Sequence, residues 1–356
     1  HYPLRRQRQM CIRDRLFGVT GTNGKTTTVD LIRQLLVQQE KKILTIGTLG
    51  VYLNDKFIKT FSLTTPSLLD LYETINKYQD EVDYIALEVS SHGLFQKRFG
   101  DICFDSIAWT NLSQDHMDYH GTMEKYLQAK LEIFNLLKND GSCFIPCEQE
   151  KLAKEIPFET ILVKREIVSE NLFLKPSYNQ QNLSLALEVL STDIDQEKVD
   201  LSKIVAPPGR FNIIEVNDSL VVIDFAHSPD GIESVCSELR ATFPYKKLVT
   251  IFGCGGDRDS SKRELMGIAA SRYSEKIILT SDNPRFEEPR KIIRDIEPGV
   301  SCQYEVIVDR ALAIKKAMKE LDNNVLLISG KGHENYIDQN GVKTNYSDFE
   351  EVRKNS

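Results

Sequence analysis

The sequence predicts an α/β protein in two parts: a P-loop central domain with a mostly parallel sheet, then a Rossmann-like α/β C-terminal domain. Three observations predict it. Gly21-Thr22-Asn23-Gly24-Lys25-Thr26 stands between an apolar run and an amphipathic stretch, the strand, loop and helix that open a doubly wound sheet. Val205-Ala206-Pro207-Pro208-Gly209-Arg210 is a Pro- and Gly-marked break. Beyond it, apolar runs of strand length repeatedly end in polar, Gly- or Pro-marked loops. A chain of 356 residues suits two domains with separate cores, set here at 16–205 and 206–356.

Residues 1–15 stand apart. Arg5, Arg6, Arg8, Arg13 and Arg15 against Asp14 give them a charge of +4, with no apolar period and no signal-peptide core. Arg6-Gln7-Arg8-Gln9-Met10-Cys11-Ile12-Arg13-Asp14-Arg15 resembles translated sequencing-adapter sequence, so a non-native extension is expected. Residues 16–19 read as the end of a strand. Residues 26–38 carry Val29, Leu31, Ile32, Leu35 and Leu36 at helical spacing, and 42–48 read as the next strand. Leu63-Thr64-Thr65-Pro66-Ser67 is a hydroxyl-rich loop before a helix to 78, expected to cap it with proline in the first turn and also to face a substrate.

Residues 83–89 form a buried strand that presents Glu88 at its carboxyl end, where a P-loop enzyme places a metal ligand. The strand at 106–111 runs into Leu112-Ser113-Gln114-Asp115-His116-Met117-Asp118-Tyr119-His120-Gly121, a grouping that suggests metal or nucleotide work. An amphipathic helix over 123–137 contains Lys130, which by itself reads as a solvated helix lysine. Residues 148–178 are irregular and charged, and a helix follows to about 190.

In the second part, a strand at 219–225 ends in Asp224 and a helix continues to 241. The strand at 247–252 ends in Gly253-Cys254-Gly255-Gly256-Asp257-Arg258, that at 276–280 in Ser281-Asp282-Asn283-Pro284-Arg285, and that at 325–328 in Ser329-Gly330-Lys331-Gly332-His333-Glu334. Turn chemistry explains the glycines but not the recurring Arg, Asp, His and Glu. In open α/β sheets that edge carries the site.

The net charge of −7 argues against general nucleic-acid or membrane affinity, and no apolar run approaches spanning length. Seven cysteines, at 11, 103, 143, 147, 236, 254 and 302, are scattered and read as reduced thiols. The expectation is a soluble, cytoplasmic monomer. In the loop, glycines let backbone N–H groups converge on phosphate oxygens, Lys25 reaches the β/γ-phosphates, Thr26 holds Mg²⁺, and the following helix adds its positive end. The strict motif has glycine where this chain has Val19.

Taken together, residues 21–28, 64–66, 88–93, 110–121, 208–210, 224–230, 253–263, 282–285 and 330–334 resemble the Mur ligases, in family order over nearly all of 16–356. Within that family they resemble the enzymes adding the third amino acid of the peptidoglycan stem. Folate-polyglutamating ligases share the Thr-Gly-Thr-Asn-Gly-Lys-Thr loop but are not expected to carry the later stretches. The resemblance implies that ATP phosphorylates the D-glutamate side-chain carboxylate of a UDP-muramoyl dipeptide, and that an incoming amine then displaces phosphate to give an amide. Two anions must meet, so cations must screen them.

The resemblance also implies roles. ATP is contacted by Gly21, Thr22, Asn23, Gly24, Lys25, Thr26 and Thr27, its adenine by Asn111 and Asn182, and its phosphates and ribose by Arg210 and Asp224 once the domains close. Mg²⁺ sits at Thr26 and Glu88, and a second Mg²⁺ involves His116 and Lys130 as a carbamate, which reverses the solvated reading of that lysine. Thr64, Thr65, Ser90, Gln96 and Arg98 face the muramoyl peptide. Asp282-Asn283-Pro284-Arg285 resembles the form that takes meso-diaminopimelate rather than L-lysine. Arg258 and Arg285 then hold carboxylates, as bidentate guanidinium recognition suits, while Asp282, Glu334 and the Gly330 carbonyl hold the distal ammonium. The family's uridine-binding N-terminal domain has no counterpart in this sequence, so the chain is expected to be a fragment with weakened substrate binding. An L-lysine-adding form and a truncated nucleotide-binding module without full activity are the alternatives.

Overall fold

A computed structural model describes residues 15–356 and divides the chain into two units between Ile204 and Val205. The expected extension therefore lies outside the described residues except for Arg15, which begins the first strand. Its guanidinium donates to Thr192 Oγ1 at 2.7 Å and to Asp193 Oδ1 at 2.9 Å.

The first unit is an eight-stranded sheet of β1 (Arg15–Thr20), β2 (Ile43–Gly47), β3 (Gly50–Leu53), β4 (Lys56–Lys59), β5 (Tyr84–Glu88), β6 (Phe104–Trp109), β7 (Leu137–Pro146) and β8 (Ile161–Val163). They lie in the order β4-β3-β2-β5-β1-β6-β7-β8. Every neighbouring pair is parallel except β2 with β3 and β3 with β4. The central strands read as nearly continuous apolar runs because a parallel sheet is covered on both faces, and Phe17, Val19, Ile85, Leu87, Ile107 and Trp109 are buried. Register then places the site. Val19 lies opposite Glu88 on one side of β1, and Thr20 opposite Trp109 on the other, so three loops leave the sheet side by side at its topological switch point.

Several local expectations change. Ser67 caps the helix Leu68–Tyr78 by accepting the Asp70 N–H, so Pro66 precedes the cap rather than entering the first turn. The helix carrying Lys130 is α-helical over Met123–Leu131 and tightens to a 3₁₀ segment, Glu132–Leu136. The stretch read as irregular contains the helix Glu150–Glu155 and β8.

The second unit has a six-stranded sheet: β9 (Asn212–Val216), β10 (Ser219–Asp224), β11 (Lys247–Phe252), β12 (Lys276–Leu279), β13 (Gln303–Val306) and β14 (Asn324–Ser329), ordered β13-β12-β11-β14-β10-β9. Only the β9–β10 pair in this sheet is antiparallel. A hairpin of β15 (Tyr336–Gln339) and β16 (Val342–Asn345) follows, then the helix Asp348–Asn355. Val221, Ile223, Ile251, Ile278, Leu326 and Ile328 pack with Ala313, Ile314 and Val352 in one core. That core also encloses an ion pair. The Arg310 guanidinium donates to both Asp348 oxygens at 2.8 Å and to the Ser329 carbonyl at 2.9 Å, with both charged side chains fully buried. Among the described residues no helix is long and apolar enough to cross a membrane.

Candidate active site

The loop after β1 turns into the helix Lys25–Gln38 through Gly24, whose φ of 84° is a left-handed conformation that favours glycine. A Cβ there would also meet Asn182 Oδ1 at 2.5 Å. Asn182 thus lies against the loop, where it also accepts from Thr28 Oγ1 at 3.3 Å. Asn111 braces it from the other side, accepting the Asn23 N–H at 2.9 Å and donating to the Asn23 carbonyl at 3.2 Å. Thr22 Oγ1 accepts the Ser113 N–H at 2.9 Å and lies 3.2 Å from the Tyr126 hydroxyl. Thr26 and Thr27 are buried in the first helical turn. Lys25 folds back, its Nζ donating to the Gly21 and Thr22 carbonyls at 2.8 Å.

Glu88 is the hub of this unit. It is buried at the end of β5 and accepts Thr26 Oγ1 at 2.9 Å, the Thr48 N–H at 2.8 Å and Thr48 Oγ1 at 3.0 Å. From there a chain of hydrogen bonds runs through every residue expected to face the muramoyl peptide. Thr48 Oγ1 also lies 3.1 Å from Thr64 Oγ1, and Thr65 Oγ1 donates to the Glu88 carbonyl at 2.9 Å. Ser90 donates to Thr65 Oγ1 through both N–H and hydroxyl. Arg98 donates to the Thr65 carbonyl at 2.6 Å and to Gln96 Oε1, and Gln96 donates to the Tyr119 hydroxyl at 2.8 Å.

Lys130 is 1% exposed, so the solvated reading is replaced: the helix turns it inward. Its Nζ donates to the Gly21 carbonyl at 2.8 Å and lies 4.7 Å from the Tyr126 ring centre. Lys25 shares that carbonyl. Burial, and then the Lys25 charge, hold the Lys130 amine well below the usual lysine range, with Asp115 opposing. His116 adopts a left-handed φ of 57° and donates its N–H to Asp115 Oδ1 at 2.8 Å. The paired histidines and aspartates do not make a metal cage on their own. His120 turns to Ser91 Oγ at 3.0 Å, and no group of three or more His, Cys, Asp or Glu among the described residues is arranged to hold a metal. Thr26 with Glu88 does offer two hard oxygen donors side by side, the chemistry Mg²⁺ takes alongside phosphate.

In the second unit, Asp224 at the end of β10 accepts the Phe211 and Ala226 N–H groups, each at 2.7 Å. Burial nevertheless raises its carboxyl above the usual range, against the pull of Arg210. The Arg210 guanidinium lies 4.3 Å from the Phe225 ring centre. His333 stacks near the same ring, and its Nδ1 is buried with no hydrogen-bond partner. Burial and the Arg210 charge push its imidazole down to about 3.

The loops after β11, β12 and β14 meet at the expected edge. Asn283 donates to Glu334 Oε2 at 2.8 Å and, through its N–H, to the neighbouring Asp282 carboxylate at 2.6 Å. Gly330 packs against Asp282 Oδ2, which a Cβ there would reach at 2.6 Å. Arg285 donates to the Gly256 carbonyl at 2.6 Å, while Arg258 lies on the exposed loop beside Gly255. Sequence reasoning gave no role to Thr48, Tyr126, Lys331 and His333, which the structure places beside the expected residues. Signals exist for two of them: Tyr126 stands four residues before Lys130 on one helix face, and Thr48 directly follows β2, which pairs with Glu88's own strand.

Residues 19–216 match the family model for the Mur ligase middle domain, and residues 209–332 that for the Mur ligase, glutamate ligase domain. A protein of Clostridium acetobutylicum named UDP-N-acetylmuramoyl-L-alanyl-D-glutamate–2,6-diaminopimelate ligase 1 is 37% identical over 376 residues, covering 95% of this chain and 77% of that one. A solved structure of a ligase of that name is 32% identical with a TM-score of 0.61, covering 99% of this chain and 80% of the other. A bifunctional folylpolyglutamate synthase/dihydrofolate synthase from Yersinia pestis, at 18% identity, a TM-score of 0.70 and coverage of 92% and 89%, shares the fold alone. Fold, loop order and these matches agree, and the chain belongs to the Mur ligase family.

Proposed function

We propose that this chain is an ATP-dependent ligase joining meso-diaminopimelate to the D-glutamyl carboxylate of UDP-N-acetylmuramoyl-L-alanyl-D-glutamate, in peptidoglycan precursor synthesis. The observation that carries this reading is 37% identity, across 95% of the chain, to a relative named for that reaction. The carboxylate attacks the γ-phosphorus of ATP and ADP leaves. The amine of diaminopimelate then attacks the acyl carbon, and phosphate leaves.

Each residue role follows as part of the proposal. Backbone N–H groups of Gly21, Thr22, Asn23, Gly24 and Thr26 cradle the phosphates, and Lys25 exchanges its carbonyl acceptors for phosphate oxygens, which bind a cation more strongly. Thr27 completes that turn, and Asn111 and Asn182 serve the adenine. Thr26 and Glu88 hold Mg²⁺, which neutralises phosphate charge so that a second anion can approach. A lysine held toward its neutral form is the nucleophile that CO₂ requires; Lys130 would add CO₂, lose a proton, and as a carbamate would join His116 as a ligand for a second Mg²⁺, whose charge would further screen the two anions. Thr64, Thr65, Ser90, Gln96 and Arg98 orient the peptide, and their shared hydrogen-bond chain ends at Glu88. Arg210 and Asp224 act on phosphate and ribose. Arg258, Arg285, Asp282, Asn283, Gly330 and Glu334 select the amino acid.

Phosphate release by the chain, with UDP-muramoyl dipeptide and each amino acid in turn, tests this. Release that requires the dipeptide and meso-diaminopimelate is expected. Release that requires L-lysine in place of meso-diaminopimelate identifies the lysine-adding form, and release without amino-acid dependence overturns the ligase reading.

A further inference from the structure

The cluster at the carboxyl ends of β12 and β14 holds a cation to which the proposed roles give no work. Lys331 is fully buried in the loop directly after β14. Its Nζ donates to Glu334 Oε2 and to Asn283 Oδ1, each at 3.0 Å, and lies 4.0 Å from Asp282 Oδ1. Asn283 locks the arrangement: its Nδ2 reaches the same Glu334 oxygen at 2.8 Å, and its Oδ1 also accepts the Asp338 N–H at 2.9 Å. Burying a lysine costs its hydration and its rotamer freedom, so its charge shapes whatever this pocket receives.

Two carboxylates and one ammonium leave the Asp282, Glu334 and Lys331 cluster with a single net negative charge. Arg285, on the same loop as Asn283, adds one guanidinium, while Arg258, on the exposed loop beside Gly255, is left for the amino acid's other carboxylate. That combination balances a terminus bearing one ammonium and one carboxylate. A terminus bearing an ammonium alone leaves Arg285 unmatched. Without Lys331 the second carboxylate is uncompensated, which attracts a bare ammonium and repels a carboxylate. We propose that Lys331 is the counter-ion that sets specificity for a zwitterionic distal terminus, an inference that rests on the ligase reading above. Its action is through Glu334 and Asp282, so it is a positioning residue.

The test compares Lys331→Gln, Lys331→Met and Lys331→Arg in the whole chain, by phosphate release with meso-diaminopimelate and with L-lysine. In the Gln and Met variants the ratio of kcat/KM for diaminopimelate over lysine should fall by about ten-fold or more, the scale of one unit charge at short range in a partly screened site. KM for ATP should move by no more than about two-fold. The Arg variant keeps the charge and should keep the ratio, even where kcat drops. Adding Glu334→Gln to Lys331→Gln restores one net negative charge and should recover part of the ratio. An unchanged ratio in the Gln variant, or a ratio lost equally in the Arg variant, overturns the inference. If Lys331→Met does not fold, the Gln variant, which retains a donor to Glu334, decides. Failure of the underlying reading shows separately, as a wild-type chain without amino-acid-dependent release.

Discussion

Replacing Gly47 by alanine tests the hub at Glu88 without touching a charged group. Gly47 ends β2, and a Cβ there would lie 2.2 Å from Glu88 Oε1 and 2.6 Å from both Cδ and Cγ. The contact is with the base of the carboxylate as well as its tip, so Glu88 must swing away. Thr26 and the Thr48 N–H then lose a charged acceptor, while the Thr48 hydroxyl keeps Thr64. Hydrogen bonds to a charged group contribute about 1.5–3 kcal/mol each, so the two together come to roughly 3–6 kcal/mol. At about 2–4 °C per kcal/mol for a unit of this size, Tm should drop by roughly 6–24 °C. Calorimetric melting measures the first effect, and Mg²⁺ titration of phosphate release the second, with the half-saturating Mg²⁺ concentration rising about ten-fold. The decisive comparison is Gly47→Ala in a Glu88→Ala background, where the clash partner is gone. Fully additive losses there, or an unchanged Tm in the single variant, would refute the reasoning.

Three further outcomes follow. Lys130→Ala should lower turnover by about 100-fold or more, with partial recovery on adding acetate, a small carboxylate that fits the vacated space; undiminished turnover removes the lysine from the site. Arg285→Ala should raise KM for meso-diaminopimelate by about 10- to 100-fold through loss of a charge-assisted contact, leaving KM for ATP in place; equal effects on both count against its assignment. His333 is held neutral in the fold, so the unfolded chain binds the extra proton between about 3 and its ordinary 6.5. Its contribution to stability is therefore full above pH 6.5 and declines as pH falls toward about 3, at up to about 1.4 kcal/mol per unit. Denaturant titrations from pH 7 to 4 should show a shallower decline in His333→Phe, by up to one proton's worth, and an identical slope sinks the reading.

What could be read from the chain follows a physical division. Glu88, Asp224 and Asp282 were legible because each stands at the carboxyl end of an apolar run, and a parallel sheet gathers such ends at one edge. β7 was not legible: its first half, Leu137-Lys138-Asn139-Asp140-Gly141, is polar and half-exposed, and only Cys143, Phe144, Ile145 and Pro146 are buried. β3 and β4 form a short edge hairpin with little periodicity, and β9 is a partly exposed edge strand. Lys130 marks the sharper limit. Its spacing fits a solvated helix face as well as a buried one, and the choice is made by the loop after β1 closing over it. Lys331 lay inside a segment already singled out, yet its work depends on Asn283, which is distant in sequence.

The buried pair of Arg310 and Asp348 has a consequence for how the molecule is made. Arg310 anchors the Ser329 carbonyl, the last peptide unit before the Gly330–Glu334 loop, and its counter-ion comes from a residue synthesised later than that loop. A product interrupted or clipped between Glu334 and Asp348 carries every residue proposed above to select the amino acid. It also carries a buried guanidinium with no carboxylate beside it, a defect of about 3–5 kcal/mol. The segment that carries Gly330 is therefore braced from behind only once the terminal helix Asp348–Asn355 is in place.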